Sequence, residues 1–216
     1  MEPIKPCGTD KAYAEALRLA WDKLAEMDPL SVSKRAKVSF DASRKGFSLT
    51  FLAQNYFISL QERSIFYQDG GPLYPFLSVL LLHYLVGAKD IPLQGEWITF
   101  RQLDGGETYF SAFSQRAIQP IEKTFGDKPQ LLISCAEALG GAFFPYGDVG
   151  VKVPCFPMLP ILVVLWAADE EFPASANILY DKSAGLFLPT EDLAVCGSML
   201  TSALVKKAKA LCTSKE

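Results

Sequence analysis

The chain has 216 residues, of which 50% are hydrophobic and 21% are charged, and its formal net charge is −3. A chain of this length and composition is typical of a globular protein with a sizeable core. The charge balance excludes the strongly basic face that nucleic-acid binding needs, and no apolar run reaches the roughly 18–20 residues of a membrane-spanning helix.

The five cysteines are widely spaced, which limits the metal chemistry that this chain can support. They are Cys7, Cys135, Cys155, Cys196 and Cys212, and no two lie within three residues of each other. There is thus no CxxC ligand pair, and an iron–sulphur cluster held by this chain alone is not expected. We expect reduced, mostly buried thiols. With no signal-peptide h-region at the N-terminus, these features favour a cytoplasmic protein.

The N-terminal part of the chain predicts one helix followed by a link. Residues 10–27 have apolar side chains at helical spacing, with Asp10 as a candidate cap, and Pro29 ends the pattern. The polar segment that follows predicts no regular structure. Residues 28–46 are therefore the only plausible domain boundary in the sequence.

Two kinds of apolar pattern come next. Alternating side chains over residues 46–60 predict a β-hairpin with its turn at Gln54-Asn55, and residues 64–71 predict a further strand. Residues 72–88, PLYPFLSVLLLHYLVGA, are apolar nearly all round and predict a buried helix.

The C-terminal half predicts helices, then strands, then a last helix. The expected elements are helices over 117–126 and 128–139, two strands within 142–166 that meet around Pro157 and Pro160, a strand over 175–181, and an amphipathic helix over 190–211 capped by Thr190. This order predicts the α+β class: a mixed or mainly antiparallel sheet packed by several helices, in a single domain over residues 1–216.

Carboxylates follow or interrupt the apolar segments of this half, at Asp148, Asp169, Glu170, Glu171 and Asp181. If they converge at one end of a small sheet, Asp148, Asp169, Glu171 and Asp181 could hold a hard cation or supply an acid and a base. We then expect Asp169 and Glu171 to share a side, Glu170 to face solvent, and mutual repulsion to raise at least one pKa. The alternative is a set of solvated strand ends near a helix start.

Arg101 follows an aromatic strand-like segment, EWITFRQLDGG. If that segment is extended, Trp97 and Arg101 share a face, and an aromatic ring beside a guanidinium suits a planar ligand that carries a carboxylate. Tyr109 then belongs to the same pocket wall. The alternative is an ion pair between Arg101 and Glu96 or Asp104.

His83 is the only histidine and lies within the buried-helix pattern. It could be a hydrogen-bonded core residue, an axial ligand of a metal macrocycle or a general base. A histidine zinc site is set aside because no second histidine exists. The pair Gly140-Gly141 is a turn, or a place where the backbone approaches a ligand closely.

Four stretches resemble the family called domain of unknown function 3786, known from anaerobic bacteria and archaea. They are GPLYPFLSVLLLHYLVGA, GEWITFRQLDGGETYFSAF, GGAFFPYGDVGVKV and LPILVVLWAADEEFPASANILYD, and the resemblance covers roughly residues 40–200. The family has no assigned activity. Some members carry a separate four-cysteine module and are described as iron–sulphur proteins, but this chain has no such module.

The anaerobic setting of the family implies a corrinoid or related tetrapyrrole as candidate ligand. Our leading expectation is therefore a cytoplasmic ligand-binding protein of anaerobic metabolism, with His83, Trp97, Arg101, Tyr109 and the Gly140-Gly141 pair around a small molecule. One alternative is an enzyme that uses the carboxylate cluster, with or without a divalent metal. Another is a non-catalytic accessory protein that docks a redox or corrinoid-carrying partner. Neither nucleic acid nor a membrane is an expected partner.

Overall fold

The computed structural model describes residues 10–67 and 73–213. Helices and antiparallel strands are combined in this part of the chain, which confirms the α+β class. The chain divides into two compact units, with the boundary between Ile91 and Pro92. The segment 28–46 lies inside the first unit, so the boundary is not where the sequence suggested it. A single domain over the whole chain stays a prediction.

The first unit combines three helices with a four-stranded antiparallel sheet in the order β1-β2-β3-β4. Its helix α1 packs against α3, and α2 contacts both α3 and β1. Cys7 and the Asp10 side chain lie outside the described residues. The elements are α1 (Asp10–Ala25), α2 (Pro29–Ala36), β1 (Ser39–Asp41), β2 (Gly46–Phe51), β3 (Gln54–Ser59), β4 (Ser64–Tyr67) and α3 (Pro75–Gly87).

Helix α2 occupies a segment for which the sequence predicted no regular structure. Its start follows helix-capping rules, because Asp28 accepts a hydrogen bond from the Ser31 N–H at 2.8 Å and Pro29 stands in the first turn. Only Val32 and Ala36 of α2 are buried. Two small apolar residues are too weak a pattern to predict a helix. The capping residue Asp28 followed by Pro29 was the signal in the sequence that could have predicted it.

The predicted hairpin is confirmed, but its turn lies two residues earlier than expected. Strands β2 and β3 pair from Gly46↔Ser59 to Phe51↔Gln54, which leaves Leu52 and Ala53 as the turn. Both turn residues have positive φ angles, 46° and 62°. This is the backbone twist that a two-residue hairpin needs, and it usually selects glycine or asparagine. The polar pair Gln54-Asn55 therefore predicted the turn at the wrong position.

The second unit contains a five-stranded antiparallel sheet in the order β5-β9-β8-β7-β6. The strands predicted around Pro157 and Pro160, and over 175–181, are confirmed as β7, β8 and β9. The elements are β5 (Trp97–Thr99), a 3-10 turn (Phe100–Gln102), α4 (Gly106–Phe113), a π-helical turn (Ser114–Ile118), α5 (Gln119–Phe125), α6 (Pro129–Glu137), β6 (Ala142–Phe144), β7 (Val149–Phe156), β8 (Leu159–Trp166), β9 (Ser175–Asp181), α7 (Ala184–Phe187) and α8 (Thr190–Thr213).

One face of this sheet packs against helices and forms the main core of the unit. Tyr180 of β9 is fully buried there, near the rings of Phe100 and Phe113 at centroid distances of 6.3 and 6.5 Å. Its hydroxyl donates to the carbonyl oxygen of Leu193 in α8 at 2.8 Å. The strand and the last helix are thus joined by a polar contact inside an apolar core.

On the opposite face, side chains from the two edge strands meet over the middle of the sheet. Trp97 of β5 and Phe144 of β6 stand on the two edge strands, yet their ring centroids are 5.8 Å apart in an edge-to-face arrangement. In a flat sheet, four strand spacings would place these edges about 19 Å apart. The sheet is therefore strongly curled, and the two rings close over the buried Leu162, Val164 and Leu179.

Replacing Tyr180 by Phe removes the hydroxyl that bonds to Leu193. We expect a loss of about 1–2 kcal/mol in the free energy of unfolding, because a buried carbonyl loses its partner. Urea denaturation measures this loss. The matched control is Tyr109→Phe, since Tyr109 is 44% exposed, and its effect is expected within about 0.5 kcal/mol. Equal effects of the two substitutions would contradict the importance of the Tyr180 contact.

Candidate functional site

The outer face of the first unit's sheet bears two phenylalanines among polar residues. Phe57 of β3 and Phe66 of β4 are cross-strand partners, and Ser48 of β2 is the partner of Phe57 on the other side. The inner face of the same strands is buried, as Phe47 and Ile58 show. Phe66, in contrast, is 47% exposed. One exposed and one half-buried aromatic ring thus stand side by side on an otherwise polar sheet face, which marks this face as a candidate binding surface.

Phe57 lies flat against the sheet and supports an arginine. The guanidinium carbon of Arg44 stands 3.8 Å from the centroid of the Phe57 ring. Beneath the ring is Gly46, where an added Cβ would collide with the ring and lie 2.6 Å from the carbonyl oxygen of Ile58. Only glycine permits this close approach. The result is a cation held on an aromatic surface.

The turn before Arg44 is fixed by Asp41. One carboxylate oxygen, Oδ1, accepts hydrogen bonds from the Ser43 hydroxyl at 2.6 Å, the Ser43 N–H at 2.9 Å and the Arg44 N–H at 3.0 Å. These bonds, the one from the Ser43 side chain first, lower the pKa of Asp41 below its ordinary value. The backbone of Arg44 is thereby held, whereas its guanidinium has no carboxylate partner among the described residues.

These residues line a groove of about 450 Å³, a size within the usual range for small-molecule sites. The two turns at this end of the sheet are tied together by a hydrogen bond from the Leu60 N–H to the Lys45 carbonyl oxygen at 2.9 Å. Below, "the Arg44 groove" denotes this site. Its lining residues are Ser43, Arg44, Phe57, Ser59, Gln61, Glu62 and Phe66.

Sequence reasoning missed this groove although a signal was present. In a strand with one buried face, apolar residues occupy alternate positions. The predicted alternation used Tyr56 and Ile58, and Phe57 between them breaks the polar side of that pattern. Phe57, a large apolar residue at a position where the alternation predicts a polar one, was therefore the sequence signal for this surface.

His83 lies on α3 in the first unit, is partly buried and has an interaction within the chain. It is not one of the residues that line the Arg44 groove. The remaining predicted ligand-binding residues belong to the second unit.

The residues expected to share a pocket wall each have a different partner. The Trp97 ring packs on Phe144 as described above. Arg101 lies in the 3-10 turn rather than in an extended strand, so the shared face with Trp97 is wrong. Its guanidinium pairs with Glu107 at 2.6 Å and stands 3.8 Å from the Phe110 ring centroid, so neither Glu96 nor Asp104 is its partner. Tyr109 faces Arg116 at 5.8 Å.

Gly140 and Gly141 terminate helix α6. Gly140 has a φ angle of +73°, and the Gly141 N–H donates to the Ala136 carbonyl oxygen at 2.8 Å. This is the usual left-handed end of a helix. An added Cβ at Gly141 would lie 2.8 Å from Val153 Cγ2, so the residue permits close packing of α6 on β7. The turn interpretation is the one that this geometry supports.

The four candidate metal ligands do not converge as predicted. Asp148 precedes β7 and Asp169 follows β8, and the register Val149↔Leu165 places both at one end of the sheet. Asp181 ends β9, whose start pairs with the end of β8. A seven-residue strand therefore separates Asp181 from the others by about 20 Å. No group of three or more candidate ligands occurs in residues 10–67 and 73–213.

Asp169 stabilises a turn. Its Oδ1 accepts the N–H groups of Phe172 at 2.7 Å and Glu171 at 2.9 Å, and these bonds lower its pKa, so Asp169 does not show the raised pKa that was expected of at least one carboxylate in the group. Asp169, Glu170 and Glu171 are all exposed. We expected Asp169 and Glu171 to behave alike and Glu170 to differ from both. Instead Asp169 is the one that differs, because it alone of the three accepts backbone hydrogen bonds from the described residues.

Asp181 is the buried member of the set and is fully hydrogen-bonded. It accepts the N–H groups of Gln94 and Gly95 at 3.0 and 2.7 Å, and the N–H and hydroxyl of Ser183 at 3.0 and 2.5 Å. Burial, the largest single influence, raises the pKa of Asp181, but the hydrogen bonds together outweigh it and lower the pKa. Asp181 thus ties the segment before β5 to the end of β9.

A second groove, of about 330 Å³, lies in the second unit near this segment. Its cation, Lys182, already pairs with the carboxylate of Glu96 at 2.9 Å. Because an ammonium with a carboxylate partner has less to offer an anionic ligand, the Arg44 groove is the stronger candidate.

Comparison with known proteins agrees with the resemblance seen in the sequence. A family model described as "Domain of unknown function (DUF3786)" matches residues 28–203. The chain belongs to the DUF3786 family. The match includes the Arg44 groove and the whole five-stranded sheet. No curated protein and no solved structure matches this DUF3786 chain. Among its described helices, none is both long and apolar enough to cross a membrane.

In this DUF3786 protein, Asp181→Asn tests the buried carboxylate. The ionised form is stabilised in the folded state, so its contribution is present above the unfolded-state pKa of about 3.9 and is lost as the pH falls through the lower folded-state pKa. We expect Asp181→Asn to cost about 2 kcal/mol of unfolding free energy at neutral pH. The difference from wild type should shrink below about pH 3.9.

Chemical denaturation at several pH values measures this difference. The matched control is Asp127→Asn, because Asp127 is exposed in the same unit. A constant difference between wild type and Asp181→Asn across the acid range would contradict the assignment.

Proposed function

We propose that this DUF3786 protein binds a planar, anionic small molecule in the Arg44 groove. The observation that carries the proposal is the guanidinium of Arg44, which lies 3.8 Å from the Phe57 ring centroid and has no carboxylate partner in the described chain. The charge of Arg44 also lowers the pKa of Asp41, but Arg44 forms no salt bridge with a described residue. An arginine held in this way is suited to bind a carboxylate or phosphate through paired N–H donors.

The aromatic part of the groove supports a flat ligand. Phe66 stands beside Phe57 across the strand pair, and about half of its surface is exposed. A ring system stacked on Phe66 would bury apolar surface on both partners. Its acidic substituent would then reach Arg44, which lines the same groove. Stacking and charge pairing together specify a flat molecule with an acidic edge.

Tetrapyrroles, including corrinoids, are the ligand class that we propose. Such a molecule offers a broad macrocycle for stacking and peripheral carboxylates or amides for hydrogen bonding. The proposed binding gives no role to axial ligation by His83, because His83 is outside the groove lining. A place in anaerobic metabolism, which the family resemblance implied, and a cytoplasmic location, which the cysteine pattern and the N-terminal sequence favoured, are part of the same proposal.

The enzyme alternative depended on four converging carboxylates. Since the register separates Asp181 from Asp148 and Asp169, that geometry gives it no support. The accessory-protein alternative concerns a different surface, which is described in the next subsection.

Titration with protoporphyrin IX and with cobyrinic acid, followed by absorbance, tests the proposal. We expect Arg44→Ala to weaken binding about 10-fold, because a charge-assisted hydrogen bond contributes roughly 1.5–3 kcal/mol. Phe66→Ser should weaken binding by a similar factor through the loss of stacking. Asp41→Ala should weaken binding less, since it frees the turn without removing the cation.

The matched controls lie in the same unit. Arg18→Ala removes an exposed arginine that pairs with Glu15 and Asp22, and Leu30→Ser removes an apolar side chain that is 69% exposed. Both should leave the affinity unchanged. The proposal is wrong if wild-type protein binds neither probe, or if Arg18→Ala weakens binding as much as Arg44→Ala does.

A further inference from the structure

Exposed aromatic rings and carboxylates lie together at one end of the second unit's sheet. The Tyr146 and Trp166 rings form an edge-to-face pair with centroids 6.5 Å apart, and they are 47% and 40% exposed. Phe172, in the loop that joins β8 to β9, is 66% exposed. Below, "the acidic–aromatic surface" denotes Tyr146, Asp148, Trp166, Glu170, Glu171 and Phe172.

The aromatic pair is held in place by the backbone beneath it. Gly147 has a φ angle of +67°, and an added Cβ there would lie 2.6 Å from Val164 Cγ1 and 3.5 Å from Trp166 Cε2. Asp148 Oδ2 accepts the Ala167 N–H at 2.9 Å, which fixes the segment before β7 against the end of β8. Surface rings that are held in this way lose little conformational entropy when a partner binds.

The charge around the rings is negative and unpaired. Residues 142–175 contain four carboxylates and a single cation, Lys152. The Lys152 ammonium stands 5.9 Å from the Phe144 ring centroid, on a different ring from the exposed pair. In the described chain, no ion pair involves Asp148, Glu170 or Glu171.

We propose that the acidic–aromatic surface docks a lysine- or arginine-rich segment of a partner protein. Charge complementarity selects a cationic occupant, because exposed carboxylates without ion pairs among the described residues lie at the same end of the sheet as the rings. The rings favour a cationic occupant whose charges can also make cation–π contacts, since cations bind preferentially over the ring faces of tryptophan and tyrosine. Exposed tryptophan and tyrosine are residues on which protein interfaces concentrate their binding energy. The proposal is independent of the Arg44 groove.

The test uses the full chain and a defined probe, an acetylated and amidated peptide of alternating arginine and glycine, measured by calorimetry at low salt. Trp166→Leu and Tyr146→Leu should each weaken binding about 2- to 30-fold, as expected from cation–π contacts of roughly 0.5–2 kcal/mol. The double variant Glu170→Gln with Glu171→Gln should weaken binding similarly and reduce its dependence on salt. Circular dichroism establishes that each variant is folded.

Matched controls distinguish binding at the acidic–aromatic surface from nonspecific attraction of the peptide to a negatively charged protein. Tyr109→Leu removes an aromatic ring of the same unit with 44% exposure, and Glu137→Gln with Glu191→Gln removes two exposed carboxylates elsewhere in the unit. Unchanged affinity in these controls supports the proposal, as does unchanged affinity in Arg44→Ala. The proposal is overturned if the wild-type protein does not bind the peptide, or if both Trp166→Leu and Tyr146→Leu bind as wild type does. Equal losses in Tyr109→Leu and Trp166→Leu would overturn it too.

Discussion

Side chains alternate between the two faces of an antiparallel strand, and the packing of both sheets depends on this constraint. In the first unit, burial of Phe47 and Ile58 on one face forces Phe57 onto the other. In the second unit, burial of Ile178 and Tyr180 against helices puts Leu179 on the curled face. A shift of one residue in either register would exchange these faces completely. The aromatic rings of the Arg44 groove therefore follow from the need to bury the other face of their sheet.

The curled sheet explains why Trp97, which suggested a pocket wall, packs against the core. Trp97 and Phe144 close over an apolar face that would otherwise be wet, and each ring removes part of the other from solvent. Edge-to-face contact suits rings that meet in this way. Asp181 lies opposite Trp97 in the register and holds the entry to β5. A tryptophan and a carboxylate that looked like binding groups thus stabilise the fold.

Polar groups in the interior are satisfied, so the groups with unused bonding capacity are at the surface. In the described part of the chain, no buried side-chain nitrogen or oxygen lacks a hydrogen-bond partner. The Arg44 groove of the first unit holds Arg44 on a ring, and the acidic–aromatic surface of the second unit carries Glu170 and Glu171; none of these three forms an ion pair with a described residue. These surfaces have opposite charge and both place charge next to an aromatic ring.

The sequence by itself determined the α+β class, most strands and the buried helix α3, because these depend on local periodicity that each segment carries alone. Four characteristic stretches indicated the family by resemblance. It did not determine which distant residues meet. Asp148 and Asp181 look equivalent in the sequence, but antiparallel register sends them to opposite ends of the sheet. Phe57 and Arg44 gave no joint signal, since their contact requires the β1–β2 turn to fold over β3. Only tertiary structure decides such pairs, because pairing and curvature depend on the whole sheet at once.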